Sequence, residues 1–300
     1  MLRNLKNNLS LTILALPAIV FLFVFNYIPI FGLVLPFKDF KYSLGIVNSP
    51  WCGLKNFEFL FRSKDAWIAI RNTVLYNLVF IFLGIFIAVS IALILFEMSK
   101  KFVRVSQTVI LLPFFISYVV VAYAVNAFLD ADHGLINTFL QYLGKDPVLW
   151  YNSAKYWPLI ITITAIWKGM GYGSLIYYAT LMGTNLELYE AARVDGASKF
   201  KQIWHISLPS LRPIISIMLI LDFGQILNAN FGLFYNVPQN CSLLYSTTDV
   251  LSTFTYRTLM NVGNLGMSSA TTFVQSVVGF FLVLLCNWVV RKVSEENALF

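Results

Sequence analysis

The chain has 300 residues, of which 58% are hydrophobic and only 12% are charged. Because soluble domains average about 25% charged residues, this composition excludes a soluble enzyme, a disordered chain and a nucleic-acid-binding protein. The formal net charge of +7 fits cytoplasmic loops that hold lysine and arginine against the inner leaflet of a bilayer. The sequence therefore predicts an all-α polytopic membrane protein with a single transmembrane domain over residues 1–300.

A membrane-spanning helix needs about 20 predominantly apolar residues, and six windows of the chain meet this requirement with few or no charges. The predicted spans cover residues 10–35, 72–97, 105–129, 157–182, 213–234 and 268–290. The third is expected to be uninterrupted, whereas the fourth and fifth each contain one charge, Lys168 and Asp222. The first apolar run is too long for the core of a signal peptide, so we expect an uncleaved anchor.

Six spans place both termini on the same side of the membrane. With that side cytoplasmic, the inner segments contain eleven lysines and arginines, and the outer segments contain nine. The positive-inside rule is most reliable for short loops, and the loop 97–104 carries Lys100, Lys101 and Arg104. The charges thus favour cytoplasmic termini by a small margin.

The loop 130–156 combines a polar start with a short amphipathic segment. Leu135–Leu143 is predicted to be a helix that lies at the membrane surface. Asp130 and Asp132 resemble the start of a calcium-binding loop, but the later spacing does not match, so a solvated turn is expected. Cys286 lies in an apolar run, and Cys52 and Cys241 could pair only if both face an oxidising compartment.

Residues 184–212 predict a helical hairpin between the fourth and fifth spans. Leu186–Val194 favours a helix, and Gly196 can adopt the left-handed conformation that ends one. Ser198 can cap a second helix, in which Phe200, Ile203 and Trp204 share a face and which is expected to stop at Pro209.

Ala191 and Ala192 lie at the tip of this predicted hairpin, where small side chains let the surface of another protein come close. The alternative is an ordinary loop between spans that has no partner. An ordinary loop seldom combines this length, a hydrophobic stripe and a glycine turn.

The motif in this hairpin resembles the "EAA" loop of the permease subunits of bacterial ATP-binding cassette importers. The matching residues are Glu190, Ala191, Ala192, Asp195, Gly196, Ile206, Leu208 and Pro209. Asp195-Gly196-Ala197 with Leu208-Pro209 is similar to the carbohydrate-uptake branch of that family. The segments Gly134–Asn137, Asp249–Arg257 and Gln275–Ser294 resemble its polysaccharide-type members.

This resemblance implies a type I importer permease fold in which the hairpin docks in a cleft of a cytoplasmic ATPase. Glu190 would pair with a basic residue of the ATPase, the two alanines would allow close approach, and Gly196 would form the turn. The implied partners are a second homologous permease, two copies of the ATPase, an extracellular solute-binding protein and a carbohydrate. No cofactor or metal is expected in this chain, which would catalyse no reaction; ATP and magnesium would bind to the partner subunits.

The absence of a phosphate-binding loop of the Gly-x-x-x-x-Gly-Lys-Ser/Thr type agrees with this expectation. A secondary transporter is an alternative, but that class couples through intramembrane carboxylates and often has inverted repeats. A membrane-embedded enzyme would need a cluster of acidic or histidine residues. A permease for a non-sugar solute stays open within the family.

The two charges within spans raise the question of a substrate path, because intramembrane charges usually face a cavity or a partner. Lys168 and Asp222 either pair with each other or with a neighbouring permease, or they line the path, where Lys168 would suit an acidic sugar. Other side chains of a type that binds sugars are Trp167, Tyr172, Tyr118, Asn126, Gln225, Asn228 and Gln275. The alternatives are lipid-facing packing for the aromatic residues and interhelical hydrogen bonds for the amides.

Overall fold

The structure is a computed structural model that describes residues 9–293. Arg3, Lys6, Ser294 and both predicted cytoplasmic termini lie outside the described residues. The α-helices of the described part are, in chain order, α1 (Leu9–Leu22), α2 (Gly45–Asn48), α3 (Glu58–Arg62), α4 (Lys64–Glu97), α5 (Lys100–Phe115), α6 (Tyr118–Leu129), α7 (Leu135–Tyr142), α8 (Trp157–Met182), α9 (Leu186–Val194), α10 (Lys199–Gln202), α11 (Leu208–Gly224), α12 (Phe231–Asn236), α13 (Tyr245–Thr248), α14 (Leu251–Arg257) and α15 (Leu265–Val293).

Within residues 9–293, five segments are long and apolar enough to cross a membrane. They are Ile13–Phe37, Lys64–Glu97, Ala154–Met182, Lys199–Gly224 and Leu265–Lys292. A sixth span is obtained if α5 and α6 are counted together. The all-helical membrane fold predicted from the sequence is therefore confirmed.

The predicted third span, which no charge interrupts, is bent, because α5 and α6 meet at an angle of 96°. Pro113 lies in the last turn of α5, where a proline removes a backbone donor and favours a bend. Ile116 is extended, and the Ser117 hydroxyl then caps α6 by accepting a hydrogen bond from Val120 N at 3.3 Å. The apolar composition was read correctly, but it carried no information about the break.

The boundaries of the fifth span also differ from the prediction. Pro209 does not stop the second hairpin helix, because α10 continues through a π-helical turn, Ile203–Ser207, into α11. Pro209 occupies the first turn of α11, where its missing N–H is tolerated. The span ends at Gly224 rather than at residue 234, and the chain then turns into α12, which Asn230 caps by accepting from Leu233 N.

The described chain separates into two compact units, of which the larger comprises Lys64–Phe254 and the residues from Gln275 onward. Small residues bring its long helices together, as is typical in membranes. Ala88 on α4 faces Gly173 on α8, and the backbone of Gly224 on α11 meets Gly279 on α15. Trp157, at the start of α8, is fully buried in an aromatic cluster with Tyr76 and Phe234.

In the same unit, a buried amide organises the loop 130–156. Asn137 is inaccessible to solvent and donates to Ala131 O and Val148 O, both at 3.0 Å. Its Oδ1 accepts from Val148 N and from Trp150 Nε1, also at 3.0 Å. The helix predicted over Leu135–Leu143 is present as α7.

The turn at Asp130 also agrees with the prediction. Asp130 Oδ1 accepts backbone hydrogen bonds from His133 at 2.8 Å and from Asp132 at 3.1 Å. These donors hold the pKa of the Asp130 carboxyl below its usual value. The carboxylate is therefore a turn-forming group.

The smaller unit comprises the residues up to Ser63 together with Thr255–Val274. Its centre is a trio of phenylalanine rings, Phe37, Phe57 and Phe273, with centroids 5.4–5.9 Å apart. Asn56 is buried beside them and donates to Pro36 O and Lys38 O. Cys52, Cys241 and Cys286 are free thiols, so the disulfide considered for the first two does not form.

Candidate functional site

The hairpin between α8 and α11 forms as the sequence predicts, and hydrogen bonds fix both ends of its first helix, α9. The Asn185 side chain caps α9 by accepting from Glu187 N at 3.0 Å. At the other end Gly196 has a φ of +74°, and Ala197 N donates to Ala192 O at 2.8 Å. This is the glycine-terminated helix end known as the Schellman motif. Ser198 then caps α10.

Both helices of the hairpin are attached to the long spans. Tyr189 is only 3% exposed, its hydroxyl lies 3.0 Å from Ser207 Oγ, and its ring packs against Phe96 at the end of α4. Lys199 of α10 forms an ion pair with Glu97, also at the end of α4. The hairpin is therefore tied to α4 at two points and can transmit a displacement to it.

The motif residues fall into two groups by exposure. Glu190, Ala191 and Asp195 are exposed on the outer face of α9, whereas Ala192 is half-buried. Ile206, Leu208 and Pro209 are half-buried in the segment that joins the hairpin to α11.

Apolar side chains surround the exposed group. Leu188, Val194, Phe200 and Trp204 are each more than half exposed, and the last two stack with centroids 6.3 Å apart. The outer face thus combines the carboxylates of Glu190 and Asp195, small residues and uncovered hydrophobic surface. These are the features of a protein-docking surface.

A cavity of 390 Å³ lies between the long helices of the larger unit. Its polar lining consists of the Asp222 carboxylate, the phenols of Tyr118, Tyr172 and Tyr177, and the Asn230 side chain. The remaining lining is apolar, from α4, α8, α11 and α12, and the described lining contains no lysine or arginine.

The structure brings only part of the predicted substrate path to this cavity. Tyr118, Tyr172 and Asp222 line it, whereas the other predicted residues do not. Gln275 is 8% exposed and donates to Leu227 O at 2.6 Å, a hydrogen bond from α15 to the turn after α11.

The remaining amides and aromatic residues of that prediction lie elsewhere. Asn228 donates to Gln225 Oε1 in the turn after α11. Asn126 is half-buried on α6, and Trp167 is 39% exposed on α8.

Lys168 has a role that the sequence did not indicate. Its Nζ donates to Phe114 O at 2.7 Å and to Pro113 O at 3.1 Å, the carbonyls at the broken end of α5. The ammonium group also lies 5.0 Å from the centroid of the Tyr118 ring. Among the described residues it forms no ion pair with Asp222, and it does not line the cavity.

Sequence reasoning missed Tyr177, Met170, Met218 and Phe80 as cavity residues. A signal for Tyr177 exists, because Ile166, Gly169, Gly173 and Tyr177 recur at helical spacing on one face of α8. The spacing identifies a face, but it does not say whether that face meets lipid, another helix or a cavity.

Comparison with known proteins supports a single family. Residues 69–295 match the model of the binding-protein-dependent transport system inner membrane component. The protein LplB of Bacillus subtilis (strain 168) is 31% identical over 294 residues, which are 98% of this chain and 92% of LplB. The polygalacturonan/rhamnogalacturonan transport system permease protein YteP of the same organism is 33% identical, over 96% of this chain and 89% of YteP.

Solved structures support the same family. A chain from the crystal structure of a bacterial ABC transporter involved in the import of the acidic polysaccharide alginate aligns with a TM-score of 0.88 and 32% identity, over 97% of this chain and 98% of that one. A chain from the crystal structure of a bacterial alginate ABC transporter in complex with an alginate pentasaccharide-bound periplasmic protein aligns with a TM-score of 0.87 and 31% identity, over 97% of both chains. The fold is thus that of a type I importer permease, and the chain belongs to the family of inner membrane components of binding-protein-dependent transport systems.

Proposed function

We propose that this chain is one of two different permease subunits of an ATP-driven importer that carries an oligosaccharide or polysaccharide fragment across the cell membrane. The ATPase would be a separate cytoplasmic subunit present in two copies, and a binding protein would deliver the sugar from outside. The names of YteP and of the alginate transporter support a carbohydrate substrate. The complex of a bacterial alginate ABC transporter with a periplasmic protein supports a binding-protein partner.

The outer face of the hairpin is the observation that carries this proposal. Glu190 and Ala191 are exposed on a helix whose opposite side is anchored through Tyr189. The uncovered apolar side chains next to them would be buried by an ATPase. Docking on this face places the hairpin and both termini on the cytoplasmic side, as the charge of the loop 97–104 also favours.

A simple movement would couple ATP to transport. When ATP closes the two ATPase subunits, the hairpins of the two permeases move toward each other. Because Tyr189 and Lys199 attach this hairpin to the end of α4, the movement is passed to a helix that lines the cavity. The cavity then opens to the outside, and hydrolysis reverses the change.

The cavity has the chemistry of a sugar site. Aromatic rings bind the C–H faces of sugars, and Tyr118, Tyr172 and Tyr177 supply three of them with hydroxyl groups attached. Asn230 and Asp222 can bond to sugar hydroxyls. The earlier hypothesis that Lys168 binds a uronate finds no support here, since its ammonium group is occupied by two carbonyls.

The proposal is tested by isolating the tagged chain from its own membranes in mild detergent. Mass spectrometry and an ATPase assay should recover a second permease and an ATPase. Glu190→Ala should weaken this recovery and the transport, because it removes the carboxylate next to Ala191 on the outer face. Glu187→Ala, one turn earlier on α9, removes the same charge at a position outside the motif and serves as the control.

Two results would contradict the proposal. Equal loss of the ATPase in both variants would show that the effect is one of charge alone. Recovery of the chain without any ATPase, with uptake that persists in Glu190→Ala, would overturn the importer and favour a secondary transporter.

A further inference from the structure

A second cavity, of 330 Å³, lies at the base of the hairpin, on the side away from the proposed ATPase surface. It is bounded by the end of α4, the start of α5, the end of α8 and the hairpin. Three basic side chains line it, Lys100, Arg193 and Lys199, together with one acidic side chain, Glu97. We call it the basal cavity.

The charges of the basal cavity are not balanced. Glu97 is engaged by Lys199. Lys100 and Arg193 have no ion-pair or side-chain hydrogen-bond partner among residues 9–293. Two free cations therefore face one cavity from two different elements, and this arrangement attracts an anion with several acceptor oxygens.

The position and the remaining wall of the basal cavity indicate the kind of anion. The charge-free run 72–96 ends at Phe96, and at 1.5 Å per residue it extends for about 37 Å, which exceeds the hydrocarbon thickness of about 30 Å. Phe96 and Met182, at the ends of α4 and α8, line the cavity beside the cations. An apolar wall at this depth suits an acyl chain, and the cations suit the phosphate above it.

We infer that the basal cavity binds the phosphate headgroup of an anionic phospholipid through Lys100 and Arg193. Basic pockets between helices on the cytoplasmic side are a recognised means of lipid binding. A phosphate held here bridges the start of α5 and the first helix of the hairpin. It therefore braces the hairpin beside the Lys199–Glu97 ion pair.

The test uses the full chain in mild detergent and measures lipid retention, so it does not depend on transport or on the ATPase. Labelled phosphatidylglycerol is titrated against the wild type and against the double variant Lys100→Gln/Arg193→Gln. With about 1 kcal/mol for each cation near a membrane surface, the double variant should bind roughly 25-fold more weakly. The control is Lys101→Gln/Lys201→Gln, which removes one exposed cation from α5 and one from the hairpin outside the cavity.

Two further ligands, phosphatidylcholine and inorganic phosphate, distinguish binding of an anionic lipid from other kinds of binding. Phosphatidylcholine should bind weakly to all three proteins, and inorganic phosphate at millimolar concentration should not displace the labelled lipid. Equal binding of phosphatidylglycerol by both double variants, or equal binding of phosphatidylcholine and phosphatidylglycerol by the wild type, would overturn the inference. Displacement by inorganic phosphate would assign the cavity to free phosphate instead. If the double variant misfolds, Lys100→Gln alone still tests the site, since the loss of a cation from the first turn does not weaken a helix.

Discussion

Lys168 donates a hydrogen bond of 2.7 Å to the carbonyl oxygen of Phe114, where α5 ends at its 96° break from α6. The last carbonyls of a helix have no partner within it, and inside a membrane water cannot supply one. The ammonium group supplies the donor for Phe114 O and a second donor for Pro113 O, which also accepts from Ile116 N at 3.3 Å. The buried charge and the break thus stabilise each other.

Lys168→Met should therefore loosen the bend rather than remove a sugar contact. Phe114 O would lose its donor, at a cost of about 1–3 kcal/mol, whereas Pro113 O would keep its hydrogen bond from Ile116 N at 3.3 Å. The thermal unfolding midpoint in detergent should therefore fall. Lys155→Met makes the same change at an exposed position and should leave the midpoint unchanged.

A second measurement reports on the bend itself. Spin labels at the exposed positions Val105 and Tyr123, on either side of the break, should give a broader distance distribution in Lys168→Met. The native cysteines would first be replaced. An unchanged distribution together with an unchanged midpoint would show that α5 and α6 hold their angle without the lysine.

Two glycines on α8 should respond in opposite directions to the same substitution. A Cβ at Gly171 would overlap the carbonyl oxygen of Ile110 on α5, so Gly171→Ala should destabilise the protein by about 1–3 kcal/mol. Nothing lies within 4 Å of a Cβ at Gly169. Gly169→Ala should therefore be neutral or stabilising by up to about 1 kcal/mol, because alanine favours a helix. Thermal unfolding of the two variants checks the pair, and equal shifts would contradict the close approach of α8 to α5.

The hairpin and most spans could be predicted because their determinants are local. The caps of α9 and α10 and the glycine turn between them depend on the neighbouring residues Asn185, Ser198 and Gly196. The length of an apolar run can likewise be counted directly from the sequence. The break after Phe115 and the continuation through Pro209 depended on geometry that a hydropathy pattern does not contain. For the same reason the sequence suggested a charged or sugar partner for Lys168. The carbonyls that accept its hydrogen bonds belong to α5, about 55 residues earlier in the chain.

The size of the side chain at Ala191 should control docking of the ATPase without controlling the fold. Leucine and serine can both be placed at this exposed position, but serine weakens a helix by about 0.5 kcal/mol whereas leucine hardly does. Ala191→Leu should therefore keep the thermal midpoint and lose the ATPase in the isolation experiment. Ala191→Ser should lower the midpoint slightly and keep the ATPase. If the ATPase recovery follows stability instead of size, close approach at Ala191 is not required.

The carboxylate of Asp222 should make the transporter favour neutral sugars over acidic ones. A carboxylate in a cavity whose described lining contains no cation repels a second carboxylate, by about 2 kcal/mol at 8 Å with an effective dielectric constant of about 20. Asp222→Asn should raise the uptake of an acidic oligosaccharide relative to a neutral one of equal length, by roughly 25-fold. Asp146→Asn, in an exposed loop, is the control. An unchanged ratio would place the sugar away from Asp222.

Gly196→Ala should destabilise the turn between the two hairpin helices, because alanine at a φ of +74° is strained by about 1–2 kcal/mol. The strain acts on the Ala197–Ala192 hydrogen bond that closes α9. Hydrogen exchange across Leu186–Gln202 should therefore become faster, and the recovery of the ATPase should fall. Gly183 has a φ of −86°, which alanine adopts without strain. Gly183→Ala should therefore change neither the hydrogen exchange nor the recovery of the ATPase. Gly196→Asn should restore most of the protection, since asparagine tolerates the left-handed conformation. Unchanged exchange in Gly196→Ala would mean that Tyr189 and Lys199 alone hold the hairpin in place.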